Sequence, residues 1–218
     1  MKEPARDIKN YRTDLSAALE DTFQRRALDK FAVDYRASRE RIYFGLNDRE
    51  LIAEVAARKD ESVRHLDELF VQLKEEAEKR GVQVHLARDA ADANRIIAKI
   101  AEENGCKMVV KSKSMTVEEI HTNTALEAKG MEVVETDLAE WIIQLRHEGP
   151  SHMVMPAIHL SRTQVADTFT KETGKHQTED ITSLVRVARR ELRRKFAEAD
   201  MGISGMNFAV AESGAIGL

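Results

Sequence analysis

From Gly81 onwards the sequence alternates between short apolar runs and longer segments with helical periodicity, and this alternation constrains the fold more than any other feature. The spacing predicts strands over 82–86, 108–110, 131–134, 153–158, 201–203 and 208–211. It predicts helices over 89–104, 116–129, 161–173 and 180–199, whereas 141–145 fits either a helix or a strand. Strands that are separated by helices usually run parallel. The pattern therefore predicts an α/β fold with a largely parallel sheet, covered by helices on both faces.

The first third of the chain has a different pattern, which is helical throughout and poor in glycine and proline. One apolar stripe predicts a single long helix; its members are Ile8, Tyr11, Leu15, Leu19, Phe23, Ala27, Phe31 and Tyr35. A break at 45–48, with Asp48 as the expected N-cap, precedes a second helix that reaches about residue 77. We therefore predict a helical arm over 1–78 and an α/β domain over 79–218. Because the sequence stops at Leu218 within an apolar stretch, that domain is expected to be incomplete at its carboxyl end.

Two helices bury little apolar surface in each other, so part of the arm's stripe should stay exposed. Exposed stripes of this kind usually mark an interface. We therefore expect the arm to support a homo-oligomer or to dock partner subunits.

The composition narrows the possible partners and cofactors. A formal net charge of −4 gives no reason to expect a nucleic acid as the main partner. No apolar run is long enough to span a bilayer, and the start of the chain lacks the apolar core of a signal peptide. The single cysteine, Cys106, excludes an internal disulfide and a metal site built on cysteines. We expect a cytoplasmic protein with no metal or cofactor bound by this chain.

The strand predicted over 108–110 leads into the loop Lys111-Ser112-Lys113-Ser114. A helix follows at once, with Thr116 and Glu119 spaced as a capping box. Ammonium groups, hydroxyls and a helix N-terminus would then lie at the carboxyl end of a strand, where α/β sheets bind ligands. The loop predicts a site for a small carboxylate or phosphate. The alternative is a solvated turn that only caps its helix.

Other polar residues also follow predicted strands. Glu135, Thr136 and Asp137 come after 131–134, and neighbouring parallel strands would bring them near the Lys111 loop. His159 follows 153–158 and could face the same pocket. The spacing of the histidines fits no standard zinc motif, and the alternative is that each is exposed or satisfied by a neighbouring group.

Glu212 follows the last strand, and Asn207, Ser213 and Gly214 complete its motif. A glutamate in this position could act as a general base, as a nucleophile towards activated acyl groups, or as an anchor for a hydroxyl. The alternative is a hairpin turn whose glutamate is merely solvated.

Four motifs in order resemble the LUD-domain family, and in particular its iron–sulfur members from bacterial L-lactate oxidation complexes. They are Lys111–Met115 with Glu118-Glu119-Ile120, Val133–Leu138, Pro150–His159, and Ala199–Gly214. The resemblance implies a sheet of the NagB/RpiA/CoA-transferase-like type. It also implies a role in oxidising L-lactate to pyruvate with two companion lactate-utilization subunits. Members of this type continue into a ferredoxin-like domain that holds [4Fe–4S] clusters, for which this chain lacks the cysteines.

Two other functions remain open. The turn around Glu212 is similar to that of some CoA transferases, in which the glutamate attacks a thioester; Lys111 or Lys113 would then hold the anionic ligand. Alternatively, the chain is a non-catalytic scaffold. On the lactate interpretation, we expect the isolated chain to be inactive.

Overall fold

The computed structural model describes residues 8–218. Residues 1–7, which begin the predicted arm, lie outside the described residues, as do the side chains of Ile8 and Lys9. The chain divides into two compact units. The first consists of the described residues up to Asp29 together with Ala87–Gly205, and the second of Lys30–Leu86 and Met206–Leu218. The arm boundary at residue 78 stays a prediction.

The helices and strands follow the order expected for a mixed α/β chain. They are α1 (Ile8–Glu20), α2 (Thr22–Ile42), α3 (Asp48–Arg64), α4 (Leu66–Glu78), α5 (Ala90–Glu103), β1 (Met108–Lys111), α6 (Met115–Glu119), α7 (Thr122–Glu127), β2 (Glu132–Glu135), α8 (Leu138–Arg146), α9 (Arg162–Thr173), α10 (Ile181–Glu198), β3 (Met201–Ile203), β4 (Phe208–Val210) and β5 (Ala215–Gly217).

A three-stranded parallel sheet in the order β2-β1-β3 forms the centre of the first unit. The side chains of β1 alternate between its faces, so Val110 joins one apolar cluster and Val109 the other. The Val110 cluster draws on α8, α9 and α10 and includes Trp141 and Phe169. The Val109 cluster draws on α5 and α7 and includes Leu126. Helices thus cover both faces of the sheet, and the predicted fold class is confirmed.

Polar caps define several helix starts. Asp89 caps α5 and Asp180 caps α10. Ser161 and Gln164, which have the sequence spacing of a capping box, form both of its bonds at α9. Two predicted caps are wrong by one or two residues. Asn47, not Asp48, caps α3, and Ser114, not Thr116, caps α6. In each helix, the side chain of the observed cap residue accepts a hydrogen bond from the backbone N–H at the third helical position, which has no partner within the helix.

Two predicted strands do not form. Residues 82–86 are irregular, and Val82 and Leu86 are exposed. Residues 153–158 form bends and a turn, and the backbone nitrogen of Ser151 donates to the Pro156 carbonyl in that turn. Apolar runs of this length form strands only where a neighbouring strand completes their backbone hydrogen bonds. In the described part of the chain neither run has such a neighbour.

Three predicted helices are interrupted. The stripe from Ile8 to Tyr35 spans α1 and α2, which break at Asp21, and the next predicted helix breaks at His65. The helix predicted over 116–129 breaks at His121, where φ is 57°. The spacing of apolar residues over 180–199 also predicts that Phe196 faces inward, and this is wrong because its side chain is exposed on α10.

In the second unit, β4 and β5 form an antiparallel hairpin whose turn packs closely on α4. Gly214 adopts φ 68°, and a Cβ built there would lie 2.6 Å from the backbone nitrogen of Ala77. Only glycine meets both conditions without strain.

Candidate functional site

A pocket of about 390 Å³ lies in the first unit at the carboxyl ends of β1 and β2. In α/β folds this end of the sheet is the usual place for ligands. The lining is rich in polar side chains and includes five glutamates. It consists of Lys111, Val117, Glu118, His121, Thr122, Asn123, Thr124, Glu127, Glu135, Glu140, Ile143, Gln144, His147, Glu148, Gly149 and Pro150.

A buried ion pair lies at the strand ends. Lys111 and Glu135 are register partners at the last positions of β1 and β2, and Lys111 Nζ lies 2.7 Å from Glu135 Oε1. Their side chains are only 3% and 7% exposed. The prediction treated Lys111 as a loop residue; the structure places it in the strand, where a charged residue needs a partner to remain buried.

Two acceptor atoms beside this pair are unsatisfied. Asn123 Nδ2 donates to Glu135 Oε1 at 2.7 Å. Glu135 Oε2 and Asn123 Oδ1 are buried and have no hydrogen-bond partner among the described residues. Buried oxygens of this kind are rare, because each forfeits its hydration without replacement. Both residues line the pocket, so a ligand with hydrogen-bond donors could satisfy them.

Two side chains fix the ends of the strands. Thr136 donates to the Lys111 carbonyl through both its backbone nitrogen and its hydroxyl, each at 2.9 Å. Gln144 accepts from the Glu135 nitrogen at 3.0 Å and donates to the Val133 carbonyl at 2.7 Å. Thr136 therefore holds β2 to β1, and α8 holds β2 through Gln144. Both contacts keep the ion pair in register.

A second ion pair lies nearby. Lys113 Nζ pairs with Glu140 Oε1, which lines the pocket. Burial, and then the adjacent Glu140 carboxylate, raises the pKa of Glu118 above its usual value, although Lys113 and Lys111 oppose the shift. The protonated form of Glu118 is therefore favoured relative to that of an exposed glutamate.

The remaining candidates at the strand ends already make contacts within the first unit. The Ser112 hydroxyl bonds that of Ser204 at 2.9 Å, and Ser114 accepts from the Val117 nitrogen at 3.3 Å. Asp137 accepts from the backbone nitrogens of Ala139 and Glu140, both at 3.1 Å. The anion-binding role predicted for these residues stays a prediction. The helix that Ser114 caps, α6, has only five residues, so its dipole is a weak source of anion affinity.

Two histidines that line the pocket have left-handed backbones. His121 has φ 57° between α6 and α7, and His147 has φ 55° where α8 ends. Within residues 8–218 these are the non-glycine residues with positive φ. Conformations of this kind cost free energy and cluster at functional sites.

His159 belongs to a polar chain at the edge of the pocket. Its Nδ1 bonds the Ser151 hydroxyl, and its Nε2 lies 3.1 Å from Glu148 Oε2. Glu148 lines the pocket, and its other oxygen lies 2.6 Å from Arg146 Nη2. The hydrogen bond from Arg146 holds the pKa of Glu148 below its usual value, with a smaller contribution from His159.

The other candidates belong to the second unit. Glu212 is exposed at the hairpin turn, Ser213 Oγ accepts from the Ala215 nitrogen at 3.3 Å, and the Asn207 nitrogen donates to the Gly217 carbonyl. The pocket described above is lined by first-unit residues. The catalytic role of Glu212, and binding by Asn207, Ser213 and Gly214, stay predictions.

Sequence reasoning missed several residues of this site: Glu118, Asn123, Glu140, Gln144, Glu148 and Ser151. Glu140 and Gln144 could have been found, because they follow the Asp137 cap at helical spacing and face the same strand end. Asn123 gives no sequence signal, because its position depends on the break at His121.

Residues 8–218 contain no cluster of three or more histidine, cysteine or acidic side chains that could hold a metal ion. The same residues include no helix with the length and apolar character needed to cross a membrane.

Comparison with known proteins agrees with the resemblance. The LUD domain model matches residues 71–218. The chain is 39% identical over 213 residues to "Lactate utilization protein B" of Oceanobacillus iheyensis, which covers 96% of this chain and 44% of that protein. It is 43% identical over 201 residues to the protein of the same name from Exiguobacterium sp., and the match covers 92% of this chain and 43% of that protein. It is 48% identical over 158 residues to "Lactate utilization protein B" of Geobacillus thermodenitrificans, and the match covers 72% of this chain and 33% of that protein.

The chain therefore spans less than half the length of these relatives. No solved structure matches it. The family model covers more than half of the chain, including the sheet and the pocket. This protein belongs to the LUD domain family.

Proposed function

We propose that this chain is the substrate-binding part of a lactate-utilization protein, and that its first-unit pocket binds a small 2-hydroxycarboxylate. The names of the relatives support lactate utilization as the process. L-Lactate is then the substrate that the longer protein oxidises to pyruvate together with companion subunits.

The observation that carries this proposal is the buried Lys111–Glu135 pair with its two unsatisfied acceptors. A lysine ammonium has three donors, one of which bonds Glu135, so Lys111 can also bond a ligand carboxylate. The hydroxyl of the ligand would donate to Glu135 Oε2 or Asn123 Oδ1. A 2-hydroxycarboxylate combines both groups on adjacent carbons.

Electrons must leave the substrate through another part of the assembly. A [4Fe–4S] cluster is held by four cysteine thiolates, and Cys106 is the one cysteine of the sequence. These 218 residues therefore do not fit such a cluster. On this proposal, the ligands of any cluster belong to the remainder of the longer proteins, and this chain alone oxidises no lactate.

Calorimetry with L-lactate, pyruvate, propionate and inorganic phosphate tests the proposal. L-Lactate should bind more tightly than propionate, because propionate leaves a buried acceptor unpaired at a cost of about 1–3 kcal/mol. Lys113→Met should weaken carboxylate binding, because the ammonium lies beside the pocket residue Glu140 and is 27% exposed. Lys107→Met removes an exposed lysine at the opposite end of β1 and should change nothing.

Equal affinity for L-lactate and propionate would refute the assignment of a hydroxyl to these acceptors. Tighter binding of phosphate than of any carboxylate would make the pocket a phosphate site instead.

The exposed stripe of α1 and α2 supports self-association as a further part of this proposal. Tyr11, Leu15, Leu19 and Phe23 are between 43% and 63% exposed. Replacing Leu15 and Leu19 by glutamate should shift the mass in light scattering towards monomer. A wild-type chain that is already monomeric in light scattering would refute the proposed self-association.

A further inference from the structure

A second chemical arrangement lies in the loop between α8 and α9. Ser151, His159 and Glu148 form a continuous hydrogen-bonded series: the serine hydroxyl bonds one ring nitrogen, and the carboxylate bonds the other. The residues preceding Ser151, from Glu148 to Pro150, line the pocket. Ser151 itself is exposed, so reagents in solution can reach it.

The contacts determine which group donates each hydrogen bond in this series. Arg146 holds Glu148 through Nη2 at 2.6 Å and Nε at 2.9 Å, and it is anchored in turn on Thr168 at 3.2 Å. An ionised Glu148 can only accept, so when the ring of His159 is neutral, its hydrogen bond to Glu148 requires the proton on Nε2. Nδ1 then has the lone pair that accepts the hydrogen of Ser151.

We propose that Ser151 is a nucleophile for acyl transfer, activated by His159 and with Glu148 as the positioning residue. The substrate class is an ester or thioester of a small acid that can enter from the pocket edge. A nucleophile, a base and a group that orients the base are the parts that this chemistry requires.

The step balances without a further oxidant or reductant. Ser151 Oγ forms a bond to the acyl carbon while its proton moves to His159 Nδ1. The bond from the acyl carbon to the leaving oxygen or sulfur breaks, and the leaving group takes the proton from His159. Water then attacks the acyl carbon and gives a proton to His159. The bond from the acyl carbon to Ser151 Oγ breaks, His159 returns the proton to Oγ, and the free acid leaves.

The local backbone offers a donor for the developing oxyanion. The N–H of His152 directly follows the serine, which is the position that supplies an oxyanion donor in many serine hydrolases. The ring of His152 holds this turn by accepting from the nitrogens of Val154 and Met155 at 3.1 and 3.2 Å.

A purely structural role is the competing explanation. Ser151 Oγ also lies 3.4 Å from the Pro156 carbonyl, so the same contacts could simply fix the loop. The two explanations differ in reactivity, since a serine that only fixes a loop does not react with electrophiles that label nucleophilic serines.

The test is covalent labelling of the full chain with a fluorophosphonate, with the modified peptide identified by mass spectrometry. Wild type should be labelled on Ser151, and Ser151→Ala should not be labelled. His159→Gln should react about a hundredfold more slowly. Ser62→Ala is the matched control, because this exposed serine donates only to its own helix at the Arg58 carbonyl, and labelling should be unchanged.

A second variant keeps the test informative if His159→Gln does not fold, as judged by the fluorescence of Trp141. Ser151→Cys retains a nucleophile, and iodoacetamide should alkylate it faster than it alkylates the half-buried Cys106. Additional replacement of Glu148 by glutamine should slow that alkylation. An unlabelled Ser151 in the wild type overturns the proposal, as does a new thiol in Ser151→Cys that reacts no faster than Cys106.

Discussion

Replacing Lys111 by methionine should strongly destabilise the first unit, because it leaves the carboxylate of Glu135 buried without a counter-charge. At 2.7 Å and an effective dielectric constant of about 20, the gross attraction in this pair is about 6 kcal/mol. The desolvation of both ions offsets most of that attraction. Removing Lys111 takes away the attraction but leaves the desolvation cost of the Glu135 carboxylate. We therefore expect the free energy of unfolding to fall by about 3–5 kcal/mol.

Removing both charges should cost less. The Lys111→Met/Glu135→Met variant takes away the buried charge, and the main remaining penalty is Asn123 Nδ2, which loses its acceptor at a cost of about 1–3 kcal/mol. The double-mutant cycle should therefore show a large coupling between the two positions. Lys99→Met is the matched control within the first unit, because the Lys99–Glu103 pair on α5 is exposed and should contribute less than about 1 kcal/mol.

The assay is urea unfolding followed by the fluorescence of Trp141, which is the sole tryptophan of the sequence and is buried in the first unit. This probe reports on the unit that contains the pair. A loss below about 1 kcal/mol for Lys111→Met would refute the reasoning, because the pair would then have to be well solvated. Additive effects of the two single replacements would refute it equally.

Three further changes have defined outcomes. Phe169→Ala removes a fully buried ring that packs on Trp141 at 5.2 Å between centroids, and it should cost about 3–5 kcal/mol in urea unfolding. Gly214→Ala should speed hydrogen exchange of the β4–β5 amides, because alanine must adopt φ 68° against the Ala77 backbone; unchanged exchange would mean that the turn does not need glycine. Because folding raises the pKa of Glu118, the folded state binds more protons than the unfolded chain, and stability should fall as pH rises above the usual value of 4.5. Glu118→Gln should remove that decline in pH-dependent urea unfolding, and a decline of the same size in the variant would assign it to another group.

The sequence predicted the layered fold well because its strongest signals are local. The β1 and β2 runs, the amphipathic α5 and α10, and the helix starts near Asp89, Ser161 and Asp180 each depend on spacing along the chain. It failed at 82–86 and 153–158, where apolar residues would be strands only if a partner strand lay beside them. A single sequence does not report that partner.

The candidate site divides in the same way. Strand-end position predicted that Lys111 and Glu135 would be neighbours, since both end strands that run parallel. The left-handed turn at His121 depends on how α6 and α7 pack, and this turn brings Asn123 to Glu135. The contacts of Ser151 with His159 and Glu148 depend on a loop with no regular periodicity.

The sequence by itself therefore determined the α/β class, the family and the strand ends at which polar groups collect. These follow from periodicities of two and 3.6 residues and from motifs that are contiguous in the chain. The tertiary structure decided which charges pair, which oxygens remain unsatisfied and which hydroxyl faces a histidine. Those outcomes depend on distances between residues remote in sequence, and only the packing of helices on the sheet sets them.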